Sequence, residues 1–313
     1  MRSVPRRLYY CDHHVLPLPA GHKFPAEKYA LVRAALARDG FFEFVPAPLA
    51  DRATIELAHD PDYVAAVFAG TLDARAMRRI GFPWSEQLVR RTLASVGGTL
   101  AAAEDALAHG FGGNLAGGTH HAFRTEGAGF CVFNDLAIAT LWLRSRGIER
   151  TAIIDLDVHQ GDGTASIFDG DASVLTLSLH GENNFPFRKQ RSRIDVALSD
   201  GTTDSDYLDA LRSALLGIGD FRTQFVLYQS GVDALAGDRL GRLSLTLAGL
   251  AERDRLVFEF TKAIGVPILI TLGGGYSNPI LLTAEAHANT FRAAARAFPD
   301  SATPRSTVTS YGV

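Results

Sequence analysis

The sequence has 313 residues, 47% of them hydrophobic and 21% charged, with a formal net charge of -3. That is enough chain to bury a substantial core, and it lacks the clustered Lys and Arg that binding nucleic-acid phosphates requires. Only two cysteines occur, Cys11 and Cys131, which excludes a disulfide framework and fits a reducing compartment.

Arg2, Arg6 and Arg7 precede no apolar stretch, so no secretory signal is expected. No apolar run reaches the length of a bilayer span. A soluble, cytoplasmic protein is therefore expected, with no membrane partner. His13 and His14 are adjacent and receive no role. Residues 86–110 are Ala-rich and end in glycine, which predicts a long helix. Beyond it lies Gly117-Gly118-Thr119-His120-His121. Two imidazoles after a glycine-rich turn suggest rings held close to something small, although such a pair taken alone also reads as a surface loop.

A helix is predicted over 136–146 and a buried strand over 152–157. That strand runs into Asp155-Leu156-Asp157-Val158-His159-Gln160-Gly161-Asp162-Gly163. Residues two apart in an extended chain point the same way, so Asp155, Asp157 and His159 can share a face. Carboxylate and imidazole suit a borderline metal such as zinc. Acids capping the next helix would explain them equally well. Residues 174–179 form a second buried strand, followed by His180, and the basic run 188–193 reads as a solvated loop.

A helix over 206–218 leads to a strand over 224–229 that ends at Ser230-Gly231-Val232-Asp233. Asp233 could complete a site of two carboxylates and one imidazole, or cap a helix. A helix over 247–264 leads to a strand over 266–271 that ends at Gly273-Gly274-Gly275-Tyr276. The glycines permit close backbone approach to a ligand, and the tyrosine hydroxyl could donate to a developing oxyanion. No Lys-Ser/Thr follows, so a nucleotide P-loop is not indicated. A helix over 279–297 and a polar tail over 299–313 complete the chain. Short apolar strands separated by helices imply a parallel sheet covered on both faces, within one domain over 1–298. Ligands of such sheets collect at the carboxyl ends of the strands, where all four polar clusters fall.

In order and spacing, Gly118-Thr119-His120-His121, Gly129-Phe130-Cys131-Val132-Phe133-Asn134-Asp135, the segment 155–163, Gly231-Val232-Asp233 and Gly273-Gly274-Gly275-Tyr276 resemble the histone-deacetylase superfamily. That superfamily also includes acetylpolyamine amidohydrolases. The resemblance runs from about residue 10 to about residue 291. Within it the chain is most similar to class IV, through Gln160, where many relatives carry a second histidine, and through the segment 237–245 with Arg253-Asp254.

The resemblance implies a three-layer α/β fold of the arginase/deacetylase type, with a central, mainly parallel eight-stranded sheet. It implies zinc-dependent hydrolysis of an acyl amide by a metal-activated water. The first substrate is an acyl-lysine, acetyl or longer fatty acyl, in a protein or peptide. Asp157, His159 and Asp233 would hold zinc. Asp155 would orient His120, and Asp162 would orient His121, the general base and then acid, with His120 as the lesser alternative for the acid role. Tyr276 would stabilise the oxyanion. A structural potassium would sit near Asp155 and Ser178, with carbonyls of Asp157, His159 and Leu179. The acyl-lysine stem would pass between Phe130 and Phe185, beside Gly129 and Gly274. His22, Phe24, Pro25 and Lys28 match the family's N-terminal pattern and line the inner pocket or serve packing. The family's acidic residue that grips substrate backbone has no clear counterpart near 81–86, so a small acylated amine stays open as substrate. Three rivals remain: an acetylpolyamine or small-molecule amidohydrolase, a non-catalytic acyl-lysine binder, and an arginase-like manganese hydrolase. The binder would be expected to lack a ligand, a histidine or the tyrosine. The manganese enzyme would need extra Asp and His ligands in place of His121 and Tyr276.

Overall fold

A computed structural model describes residues 6–298, so the polar tail assigned to 299–313 lies outside the described residues. In chain order the strands are β1 (Arg6–Tyr10), β2 (Phe42–Pro46), β3 (Phe111–Asn114), β4 (Thr151–Asp155), β5 (Val174–Gly181), β6 (Ile194–Leu198), β7 (Phe225–Gln229) and β8 (Ile268–Thr271). They form one eight-stranded sheet in the order β2-β1-β3-β8-β7-β4-β5-β6, and every pairing is parallel. The helices are α1 (Lys28–Ala37), α2 (Arg52–Ile55), α3 (Pro61–Ala69), α4 (Ala74–Ile80), α5 (Glu86–His109), α6 (Asp135–Arg144), α7 (Asp162–Ile167), α8 (Asp204–Leu216), α9 (Leu247–Ile264) and α10 (Ile280–Ala297). One group packs as the series α1, α10, α9, α8; another gathers around α5 and α6. Every residue of β3, β4, β5, β7 and β8 is buried, as strands covered on both faces must be.

The apolar strand readings coincide with β4, β5, β7 and β8, with shifted ends. The predicted strand 152–157 stops at Asp155, so Asp157 and His159 lie in the following loop rather than on one strand face. His180 lies within β5 instead of after it. The helix read over 206–218 is α8, two residues earlier at each end. Strands β1, β2, β3 and β6 carry no uniform apolar run, and β3 is Phe-Gly-Gly-Asn. Its glycines have a packing reason: a Cβ on Gly112 would stand 1.8 Å from the Ala102 carbonyl oxygen of α5. Helix α5 thus lies against bare backbone, which a hydrophobicity pattern does not register.

Register aligns the strand ends. Asn114 pairs with Thr271, Thr271 with Gln229, Gln229 with Asp155, and Asp155 with Ser178. One polar row therefore crosses the central strands at their carboxyl edge, and the loops that leave it carry the four polar clusters.

Candidate active site

The loop after β3 is clamped by Asp135, the first residue of α6. Its carboxylate accepts from Gly118 N at 3.1 Å, Thr119 N at 2.8 Å, Thr119 Oγ1 at 2.6 Å and Thr99 Oγ1 at 2.6 Å. This turns both histidine rings inward, with centroids 4.1 Å apart. His120 Nδ1 lies 2.7 Å from Asp155 Oδ2, and His121 Nδ1 lies 2.6 Å from Asp162 Oδ1. A carboxylate on one ring nitrogen fixes the ring's orientation and raises the basicity of the other.

Environment drives the two rings apart. Burial opposes charge on His120, but Asp155 and Asp157 outweigh it and push the ring up to about 9. Burial and then the charge of His120 push His121 down to about 4, despite Asp162. The two environments thus favour charge on His120 and neutrality on His121, the kind of separation that lets adjacent groups take acid and base roles.

Asp157, His159 and Asp233 place one ligand atom each within 4.8 Å of one another, all buried. His159 Nδ1 lies 2.9 Å from Asp157 Oδ1 and 3.1 Å from Asp233 Oδ2. Asp157 Oδ2 accepts from Gly274 N at 2.7 Å and Gln229 Nε2 at 2.8 Å. Asp233 Oδ1 accepts from Val158 N at 2.8 Å. Burial and the charge of Asp157 push the Asp233 carboxyl up to about 7. Two carboxylates crowded in a buried site repel each other, and a divalent cation held by both with His159 relieves that repulsion. Gly274 crosses so close that a Cβ there would stand 2.0 Å from Asp233 Oδ2 and 2.7 Å from Asp157 Oδ2. The residues fit zinc: the donor set suits it, and three protein ligands leave a coordination position open.

The pocket above these groups is a cavity of about 450 Å³ lined by Phe24, Phe130, Phe185, Gly129, Gly274 and Tyr276, among others. Phe185 meets His121 edge-on at 4.9 Å, and Phe130 lies 6.3 Å from Tyr276. Phe130 adopts φ 66°, a region that few non-glycine residues occupy. It is held there by Phe130 N donating to Ile80 O at 2.7 Å and by the paired bonds between Ala128 and Cys131. Tyr276 is buried. Burial and the charges of Asp233 and Asp157 push its phenol well up, so it remains a proton donor. Its backbone N donates to Asp238 at 2.6 Å. For the predicted cation beside β5, Asp155 and Ser178 are register partners, with the Ser178 hydroxyl 3.0 Å from His180 Nδ1.

Four contributors carry no role in the sequence reading. Asp135 and Gln229 hold the histidine loop and Asp157. Gln160 ties down residue 190. Arg253, fully buried, donates to the carbonyls of Gly231 and Ser230 beneath Asp233. Gln229 left a signal as a polar residue closing an apolar strand; the buried reach of Arg253 left none. Lys28 both packs and lines the pocket: it is buried, donates to Gly273 O at 2.8 Å and lies 5.2 Å from the Tyr276 ring centre. His22 stacks on Phe82 and bonds Gly81 O at 2.9 Å. The basic run 188–193 is only partly solvated, since Gln190 is bonded to Gln160 through both backbone groups.

Residues 22–292 match the family described as the histone deacetylase domain. An uncharacterised protein of Picosynechococcus sp. is 49% identical over 276 residues, covering 87% of this chain and 92% of that protein. Histone deacetylase 2 of Arabidopsis thaliana is 32% identical over 278 residues, 82% of this chain and 70% of that protein. Among solved structures, an HDAC homolog complexed with SAHA has a TM-score of 0.77 at 24% identity, covering 93% of this chain and 84% of that one. An HDAC homolog from Aquifex aeolicus has a TM-score of 0.77 at 23% identity, covering 92% and 84%. At those identities the structures speak for the fold alone.

Proposed function

The chain belongs to the histone deacetylase family, and from that premise we propose that it is a zinc-dependent lysine deacylase. It would hydrolyse the amide of an acyl-lysine, acetyl or longer fatty acyl, in a protein or peptide. The observation that carries this reading is the joint placement of two carboxylate-held histidines, the Asp157–His159–Asp233 cluster and Tyr276 around one cavity.

Asp157, His159 and Asp233 would hold zinc. When bound, zinc supplies Lewis acidity that polarises the amide carbonyl and lowers the pKa of water. His121 is neutral, so its Nε2 accepts the proton of the attacking water and passes it to the leaving amine. Asp162 keeps that ring oriented and stabilises the charge it gains. His120, held by Asp155, flanks the reacting carbonyl and is the second candidate donor to the leaving amine. The Tyr276 hydroxyl donates to the oxyanion. Phe130 and Phe185, with Gly129, flank the lysine stem and exclude water. A structural potassium beside Asp155 and Ser178 belongs to the same reading. Gln160 and the segment 237–245 support placement near class IV. Free buried thiols at Cys11 and Cys131 suit a reducing cytoplasm, and no helix among the described residues is long and apolar enough to cross a membrane.

The test is hydrolysis of one lysine peptide carrying acetyl, octanoyl or myristoyl by zinc-loaded protein, with Asp157→Ala as control. Turnover that needs zinc and Asp157 is expected. Zinc should also raise Tm, with roughly 2.7 kcal/mol of added stability at a hundredfold excess over Kd. Absence of turnover on every chain despite that thermal shift would overturn the deacylase reading.

A further inference from the structure

The mouth of the cavity carries cations and lacks a carboxylate. Besides the histidines, the charged side chains lining the cavity are Lys28, Arg79, Asp157 and Arg242, and Asp157 lies at the floor within the metal cluster. Two further cations belong to the same rim. Arg239 Nε donates to the Tyr276 carbonyl at 2.9 Å. Lys189 Nζ donates to the carbonyls of Asn184 and Pro186 at 2.6 Å each, which fastens the loop bearing Phe185 and Phe187. Arg79 and Arg242 thus line the opening, with Arg239 and Lys189 fastened to segments beside it.

Compensation is partial. Arg79 pairs with Glu126 at 2.7 Å, and Arg242 pairs with Asp200 at 3.2 Å. Both acids, like Arg239 and Lys189, stand outside the residues that line the cavity, so among the lining residues the mouth carries Arg79 and Arg242 with no carboxylate beside them. Among the described residues no carboxylate lies within ion-pair distance of Arg239 or Lys189. Exposed ion pairs are held weakly, so the paired guanidiniums can turn to a substrate carboxylate at little cost. Phe187, 88% exposed, adds an apolar surface on the same lip. A guanidinium matches a carboxylate in shape and charge, and a cationic rim repels ammonium groups.

We propose that this mouth selects acyl-lysines flanked by acidic residues and rejects polycationic acyl-amines such as acylated polyamines. The proposal rests on the deacylase reading for its amide, but the charge preference belongs to the rim and can be read without turnover.

The experiment uses zinc-loaded full-length protein and two fluorescent peptides with the same central acyl-lysine, flanked by Asp in one and Lys in the other. Anisotropy gives binding, and hydrolysis gives kcat and KM. The acidic peptide should bind roughly tenfold more tightly at low salt, with the difference in KM rather than kcat, and the ratio should shrink several-fold at high salt. The double variant Arg239→Glu/Arg242→Glu, at two exposed positions, should reverse the order, with circular dichroism reporting an intact fold. Equal binding, a preference for the basic peptide, or a preference insensitive to salt and to charge reversal would overturn the proposal. Turnover without charge selectivity sinks the mouth proposal alone; charge-selective binding without turnover supports the mouth and sinks the deacylase reading.

Discussion

At the scale of single residues, the site depends on small differences in environment between like groups. His120 and His121 are neighbours in sequence, yet one is pushed up to about 9 and the other down to about 4. Their identities and their spacing to Asp155 and Asp162 are legible in the chain. Which ring keeps its proton is set by burial, by the closeness of Asp157 to His120, and by the charge of His120 acting on His121. Tyr276 illustrates the same division. Its place after three glycines is visible in sequence, whereas its burial beside two carboxylates is a product of folding. Tyr276→Phe should lower kcat by roughly 10²–10³ with little change in KM or Tm, because a hydroxyl donating to an oxyanion acts in the transition state. Steady-state kinetics on an acyl-lysine peptide with a melting curve check this; near-normal kcat removes Tyr276 from that role.

At the scale of elements, loops at the carboxyl edge are shaped by residues that never touch substrate. Asp135 closes the motif 129–135 without an assigned part in the site, yet four donors converge on it to fold the histidine loop. Gln160 does the same across the cavity. Its Nε2 donates to Gln190 O and Asp195 Oδ1 at 2.8 Å each, and its Oε1 accepts from Gln190 N at 2.8 Å. Those bonds anchor the segment that carries Phe185 against His121. Gln160→Ala should raise KM several-fold more than it lowers kcat and should speed hydrogen exchange in residues 182–193. Unchanged exchange there would show that the loop is held by other contacts.

At the scale of the whole molecule, neutral histidines are sealed in the core. Burial pushes His59 down to about 4 from the usual 6.5, and its Nε2 accepts from Asn134 N at 2.8 Å, where α6 begins. A base whose folded value is depressed stabilises the fold above its unfolded value. As pH falls below about 6.5 the unfolded chain takes up the proton first, so stability drops until pH passes the folded value near 4. For His59 this amounts to about 2 kcal/mol between pH 7 and pH 5. His180, also pushed down to about 4 by burial, acts in the same direction. Urea unfolding at pH 7 and 5 should show this loss, and His59→Gln should diminish it; an equal acid sensitivity in the variant places the titration elsewhere.

By itself the sequence determined the class of sheet, four of its strands, the helices 86–110, 136–146, 206–218, 247–264 and 279–297 to within two residues, and the identities of the polar residues at the strand ends. It could do so because buried parallel strands must be apolar throughout, and their ends stand out against that background. Only the tertiary structure decided the rest. Strands β2 and β6 are the sheet's edges, β1 opens on two arginines and β3 bears two glycines, and the place of each depends on its strand partners and packing rather than on an apolar run. Arg253 reaches the carbonyls beneath Asp233 through the core, Lys28 crosses to Gly273, and the rim cations meet from the end of α4 and from the loops after β5 and β7. Such contacts arise from where the chain crosses itself, and local pattern holds no record of that crossing.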